Sequence, residues 1–177
     1  MGILSKLFGK QDLMTDVLKL LESQHAEVDA LFAKIEKGDG NRRALFTQLA
    51  DKLAAHATVE EKLFYPAVMA RDTEDLLHES VEEHLSIKRI LADLIAMNVD
   101  DEEFMAKIQV LKEQVSHHAH EEEEKKLFPK VEAMFDAEQR AGLGNELLAM
   151  FEELVQQHAS KNVPAETETA APLPSPR

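Results

Sequence analysis

The sequence predicts an all-α protein: an up-down antiparallel four-helix bundle followed by a short fifth helix. Three observations lead there. Leu, Ala, Glu and Lys dominate a 177-residue chain that has one Tyr, no Trp and no Cys, a mixture that favours helix over strand. Apolar residues recur in alternating steps of four and three, the spacing of a bundle seam. The seam pattern is then written twice, as two successive helical hairpins.

The composition also bounds function. The length suits one domain with a real core. A formal charge of −14 argues against nucleic acid and anionic membrane surfaces as partners. Without Cys, disulfides, thiolate metal sites and thiol redox chemistry are excluded. No apolar run approaches the roughly 20 residues of a membrane span, and no secretory signal pattern is present, so a cytoplasmic protein is expected. Its oligomeric state is not legible in the sequence.

The first segment, residues 1–11, places Ile3, Leu4, Leu7 and Phe8 on one face beside Lys6 and Lys10. That is a weak interfacial anchor at most, and a frayed terminus or bundle cap is the expectation. The domain proper is expected over residues 12–158. A first helix, from about Asp12 to Lys37, carries Met14, Leu18, Leu21, His25, Val28, Phe32 and Ile35 as its stripe. Gly38-Asp-Gly-Asn41 ends it, and Asn41 can cap the second helix. That helix presents Phe46, Leu49, Leu53, His56, Glu60 and Leu63/Phe64 until Pro66, which removes one backbone bond and kinks the last turn. Thr73 or Asp72 caps a third helix to about Met97, with Leu77, Ser80/Val81, His84, Ile87, Leu91 and Leu94 inward. A fourth carries Phe104, Ile108, Leu111, Val115, His118 and Glu122 through Pro129 to about Met134. A fifth is expected from Asp136 to His158 with a weak point at Gly142/Gly144. Residues 159–177 hold little to bury and read as a disordered tail.

The two hairpins align at constant spacing. Leu18, His25, Val28 and Phe32 correspond to Leu77, His84, Ile87 and Leu91. Phe46, Leu49, Leu53, His56 and Glu60 correspond to Ile108, Leu111, Val115, His118 and Glu122. Each half offers a lone His and a His-x-x-x-Glu pair, whose members share a helical face, so four His and two Glu converge in an apolar core. One such His is more often a satisfied core residue than a ligand. A seam carboxylate, however, costs several kcal/mol unless paired, protonated or bound to metal. Lys and Arg are missing from the same seams near these positions. Imidazole and carboxylate without sulfur suit iron, manganese or zinc; zinc usually stops at four ligands. Six in two equivalent halves point to two metal ions bridged by Glu, with two irons preferred over manganese or zinc.

The second copy leaves its register open. Helical phase from Val115 selects His118 with Glu122, whereas counting back from Pro129, as Glu60 stands before Pro66, selects Glu123. A π-bulge would absorb the extra residue. His117/Glu121 and His120/Glu124 are alternative pairs with polar upstream neighbours. His78 and His158 lie off the seams and are expected at the surface. Most of the Glu121–Glu124 run reads as a solvated face, with one carboxylate free to hydrogen-bond a ligand His. Tyr65 projects about 140° from Glu60 on an α-helix, away from the site.

His25-Ala-Glu-Val-Asp-Ala-Leu-Phe, His56-x-x-x-Glu60-Glu61 with Leu-Phe-Tyr-Pro66, His84, and His118-x-x-x-Glu122-Glu123 with Leu-Phe-Pro129 resemble the hemerythrin-like family of HHE cation-binding domains, over about residues 12–158. The resemblance implies a bundle holding an oxo- or hydroxo-bridged non-haem di-iron centre, with His25, His56, Glu60, His84, His118 and Glu122 as ligands by position. Oxygen-carrying hemerythrins have an additional His. Four His and two Glu are similar instead to the di-iron proteins of oxidative and nitrosative stress and of iron–sulfur repair, although the repair proteins usually carry a Cys-containing N-terminal segment and this sequence has no Cys, which argues against the repair role. The partner expected is dioxygen, nitric oxide or peroxide, bound or reduced. An iron reservoir or an oxygen or redox sensor without turnover is the alternative.

Overall fold

The computed structural model describes residues 15–177; the amphipathic reading of residues 1–11, and Met14 of the first stripe, fall outside them. Five helices follow in order: α1 (Val17–Lys37), α2 (Arg42–Val59), α3 (Glu74–Ala96), α4 (Phe104–Ser116) and α5 (Ala137–Gln156). α2 runs on through a π-helical turn, Glu60–Phe64, into α-helical Tyr65–Val68. α4 runs on through a longer π-helical stretch, His117–Leu127, into Phe128–Met134. No strand occurs among the described residues.

The ends of these helices follow from local chemistry. α1 begins later than its apolar stripe suggests, because the Asp16 side chain accepts from Leu18 N–H at 2.9 Å and fixes the cap there. Gly38, at φ 71°, closes α1 in the left-handed conformation that glycine alone adopts freely. Asn41 caps α2 through Ala44 N–H. Thr73 precedes α3 but makes no side-chain cap; its hydroxyl donates instead to Val68 O at 2.7 Å. Asp136 and Gln139 form a reciprocal capping box at the start of α5.

α1 packs on α2 and α3 on α4, and α2–α3 and α1–α4 contacts close the ring into a four-helix bundle. Leu21, Phe32, Leu49, Leu77, Leu91, Phe104 and Ile108 are fully buried in its core. α5 lies across α1 and α2. Gly142/Gly144, expected to weaken it, does not interrupt it. Gly144 is a point of closest approach instead: a Cβ there would stand 1.9 Å from Thr15 O.

The tail differs from its expected disorder. A 3₁₀ helix, Ala159–Ala165, packs on α2 and α3, burying Ala159 and Val163. Long-range polar anchors supply what composition lacks. Asp51 accepts from Ser160 Oγ at 2.6 Å and meets His158 Nδ1 at 2.8 Å. Arg89 donates to the carbonyls of Thr167 and Glu168, and Lys88 pairs with Glu166 at 3.0 Å. No helix of the described residues is long and apolar enough to cross a membrane.

Candidate metal centre

His25 on α1, His56 on α2, His84 on α3 and His118 at the head of the second π-helical stretch are all buried. Each turns Nδ1 outward onto an oxygen. His25 meets Glu124 at 2.7 Å, His56 meets Gln24 at 2.7 Å, His84 meets Glu61 at 3.0 Å and His118 meets Glu83 at 2.6 Å. An acceptor at Nδ1 keeps the proton there and leaves the Nε2 lone pair free. The four Nε2 atoms converge in two pairs, His25–His56 at 3.2 Å and His84–His118 at 3.0 Å.

Two carboxylates span these pairs. Glu60 places Oε1 3.2 Å from His56 Nε2 and Oε2 3.2 Å from His84 Nε2. Glu123 places Oε2 3.2 Å from His25 Nε2 and Oε1 3.7 Å from His118 Nε2. Both are wholly buried. Although close to imidazole nitrogens, Glu60 Oε1 and Glu123 Oε2 have no hydrogen-bond partner. Orphaned carboxylate oxygens at the meeting point of imidazole lone pairs suit a cation. Among the described residues His25, His56, Glu60 and Glu123 form one possible cation cluster, and Glu60, His84 and His118 another.

Without a cation the cluster holds protons. Burial works against charge on His25 and His84, but the facing carboxylates win, Glu123 most strongly for His25 and Glu60 for His84. They hold the two imidazoles at about 9 and about 10. Burial likewise raises Glu60, yet His56 and His84 keep its carboxyl well below the ordinary range. A bound metal would take over the role of these protons.

The structure corrects the expected fourth-helix pair. Glu122 stands apart from the cluster, with Oε1 accepting from Lys126 at 2.6 Å and lying 3.5 Å from His117. Glu123 stands in its place. The π-helical stretch is the cause: its i→i+5 bonding stacks residues five apart, so His118 meets Glu123 rather than Glu122. The His in the cluster is the one helical phase selects, the Glu is the one selected by counting back from Pro129, and one inserted residue reconciles them. His117 is half exposed, and His120 pairs with Glu124 and Asp29 near the surface. His78 is exposed as expected; His158 is exposed but anchors the tail.

Tyr65 reverses its expected orientation for the same reason. Its N–H bonds to Glu60 O across the π turn, which brings the two side chains onto one face. The hydroxyl donates to Glu123 Oε1 at 2.8 Å, and lies 3.3 Å from Glu60 Oε2 and from Nε2 of both His84 and His118. Burial, then the two carboxylates, push its pKa well above the usual value. The paired aromatic–Pro endings were the signal that could have found it, since Pro66 and Pro129 invite a widened turn before them.

A cavity of about 30 Å³ abuts the four histidines, walled by Val28, Leu53, Ile87 and Val115. Fold and site thus define a helical-bundle protein with a buried imidazole–carboxylate centre fit for metal. The family model for the hemerythrin HHE cation-binding domain matches residues 16–131, and the chain belongs to that family. A solved structure with the same bundle is the hemerythrin HHE cation-binding domain-containing protein of Mycobacterium kansasii, a homolog of Rv2633c. It is 25% identical with a TM-score of 0.69, covering 81% of this chain and 90% of that one. A DNA nickase from Nostoc sp. (strain PCC 7120) is 29% identical over 117 residues, 64% of this chain. The match spans about a third of the nickase, 32% of its length.

Proposed function

We propose that the chain is a non-haem di-iron protein that binds or reduces a small oxidant (dioxygen, nitric oxide or peroxide) in defence against oxidative or nitrosative stress. The observation that carries this reading is the arrangement of four buried imidazoles with Nδ1 engaged outward and Nε2 turned in, and two buried carboxylates that each reach both imidazole pairs. His25 and His56 would hold one iron, His84 and His118 the other, with Glu60 and Glu123 shared. Tyr65 would donate to Glu123 or join the second position.

Bound iron would supply open coordination positions and reversible one-electron chemistry. The protein's contribution is to fix the imidazole tautomers, exclude water with Val28, Leu53, Ile87 and Val115, and limit ligand size through the small cavity. The small volume of that cavity, about 30 Å³, favours a diatomic or peroxide over a sizeable organic substrate.

Loading with ferrous iron under anaerobic conditions, desalting and then admitting air tests the reading. About two irons per chain and a near-ultraviolet charge-transfer band, both lost in Glu60→Ala, are expected. Retention of no iron overturns it. Two irons without turnover of peroxide or nitric oxide would redirect it to an iron reservoir or sensor.

A further inference from the structure

We propose that Ile87 is the gate by which a small uncharged molecule reaches the histidine-lined cavity, entering from a surface groove between α3 and α4. This rests on the small-ligand reading above. Asp29, Gln24 and Ile87 line the cavity and also reach its outer side, and their chemistry differs. On one side Asp29 Oδ2 meets His120 Nε2 at 2.9 Å, and His120 Nδ1 meets Glu124, which holds His25. Opening there breaks a charged chain attached to the centre.

On a second side Gln24 lines both the cavity and an outer groove against α5. Its Oε1 accepts from His56 Nδ1, so it cannot swing aside without releasing an imidazole of the centre. On the third side Ile87 lines both the cavity and the α3–α4 groove, which has a volume of about 330 Å³ and is bordered by Glu83, Glu113 and His117. Ile87 is 7% exposed. Its side-chain end can turn between staggered rotamers without breaking a hydrogen bond, on a far faster timescale than helix motion. The inner wall is apolar, so ions lose more by entering than neutral molecules do. Ile87 is therefore a specificity-determining residue: it admits neutral diatomics and hydrogen peroxide and rejects bulkier peroxides.

The test uses the iron-loaded full chain, wild type and with Ile87→Ala, Ile87→Val or Ile87→Phe, matched for iron content. Nitric oxide association is followed by stopped flow, and the reduced centre is challenged with hydrogen peroxide and with tert-butyl hydroperoxide. Ile87→Ala is expected to speed the bulky peroxide by about tenfold or more while nitric oxide and hydrogen peroxide change by less than about threefold. Ile87→Val should shift in the same direction by less, and Ile87→Phe should slow all three. Unchanged rates in every variant at equal iron content, or admission of the bulky peroxide by Asp29→Ala in place of Ile87→Ala, would overturn the gate. A metal-free readout separates this from failure of the iron reading. Crystals of metal-free Ile87→Ala under xenon should show density continuous through position 87, and a cavity still sealed there would overturn the route whatever metal the protein holds.

Discussion

The two halves of the bundle carry the same pattern and build unequal surroundings. His25 and His56 belong to the first hairpin, His84 and His118 to the second. Behind the first pair stand Glu124 and the neutral Gln24; behind the second stand two carboxylates, Glu61 and Glu83. Lys88 clamps Glu61 with two contacts of 2.9 Å and is itself tied to Glu166 of the tail. Glu124 is backed only by half-exposed His120. The aromatic before each Pro differs too. Phe128 stacks on His25 at 6.1 Å between ring centres, whereas its counterpart Tyr65 brings a hydroxyl to His84 and His118. An imidazole backed by a carboxylate is a stronger donor than one backed by an amide. The second half is thus the more electron-rich and more rigidly held position, and the first the more open.

The largest effect should come from the carboxylates that join the halves. Glu60→Ala and Glu123→Ala are each expected to weaken binding of two irons by more than about 100-fold, whereas Glu122→Ala should stay within about threefold. Metal stoichiometry by equilibrium dialysis decides this, and strong loss in Glu122→Ala would restore the α-helical register. Next, exchanging the outward partners should level the halves. Gln24→Glu should tighten the His25/His56 position and Glu83→Gln loosen the His84/His118 position, by about 10-fold or more each. Stepwise metal release to a chelator reads both, and release order unchanged by either swap would break the comparison.

Tyr65→Phe removes the hydroxyl that marks the second half, and Phe128→Tyr offers one to the first. The optical spectrum of the iron-loaded Tyr65→Phe protein should change while its stoichiometry holds; an identical spectrum would confine Tyr65 to hydrogen bonding at a distance from the metal. The smallest effect concerns how the halves begin, since Asp16 caps α1 and Thr73 does not cap α3. Asp16→Ala should cost about 1 kcal/mol. Burial opposes its charge, but Arg140 and the Leu18 amide together outweigh it and hold the Asp16 carboxyl below the ordinary value of 3.8. A depressed acid stabilises the fold above its unfolded pKa. The Asp16 contribution should therefore be present at neutral pH and fade as pH falls through and below about 3.8, and acid unfolding of wild type and Asp16→Ala should converge there.

Much of this molecule was legible in its sequence. The four-and-three stripe marks the bundle, and a paired repeat on that stripe marks His25, His56, Glu60, His84 and His118 as inward, because side-chain direction on an α-helix depends only on local geometry. The same rule misplaces Glu122 and Tyr65, since Glu122 lies inside a π-helical stretch and Tyr65 follows one. A shift from i→i+4 to i→i+5 bonding rotates every later side chain, and the sequence signals it only through the aromatic–Pro endings and the extra residue before Pro129.

What tertiary structure alone decided is how distant segments complete one another. Composition assigned the tail to disorder, yet Asp51, Lys88 and Arg89, far away in the chain, hold it against α2 and α3. Gly144 reads as a weak point of the fifth helix, yet the Thr15 carbonyl occupies the place of its missing Cβ. The sequence by itself determined the helices, their inward faces and the chemistry of a buried imidazole–carboxylate centre, because these rest on local periodicity and on the cost of burying charge. The choice of Glu123 over Glu122, the hydroxyl of Tyr65 and the asymmetry of the two halves were decided only in the folded structure, because the sequence leaves the register of the fourth helix open and the outward partners come from distant segments.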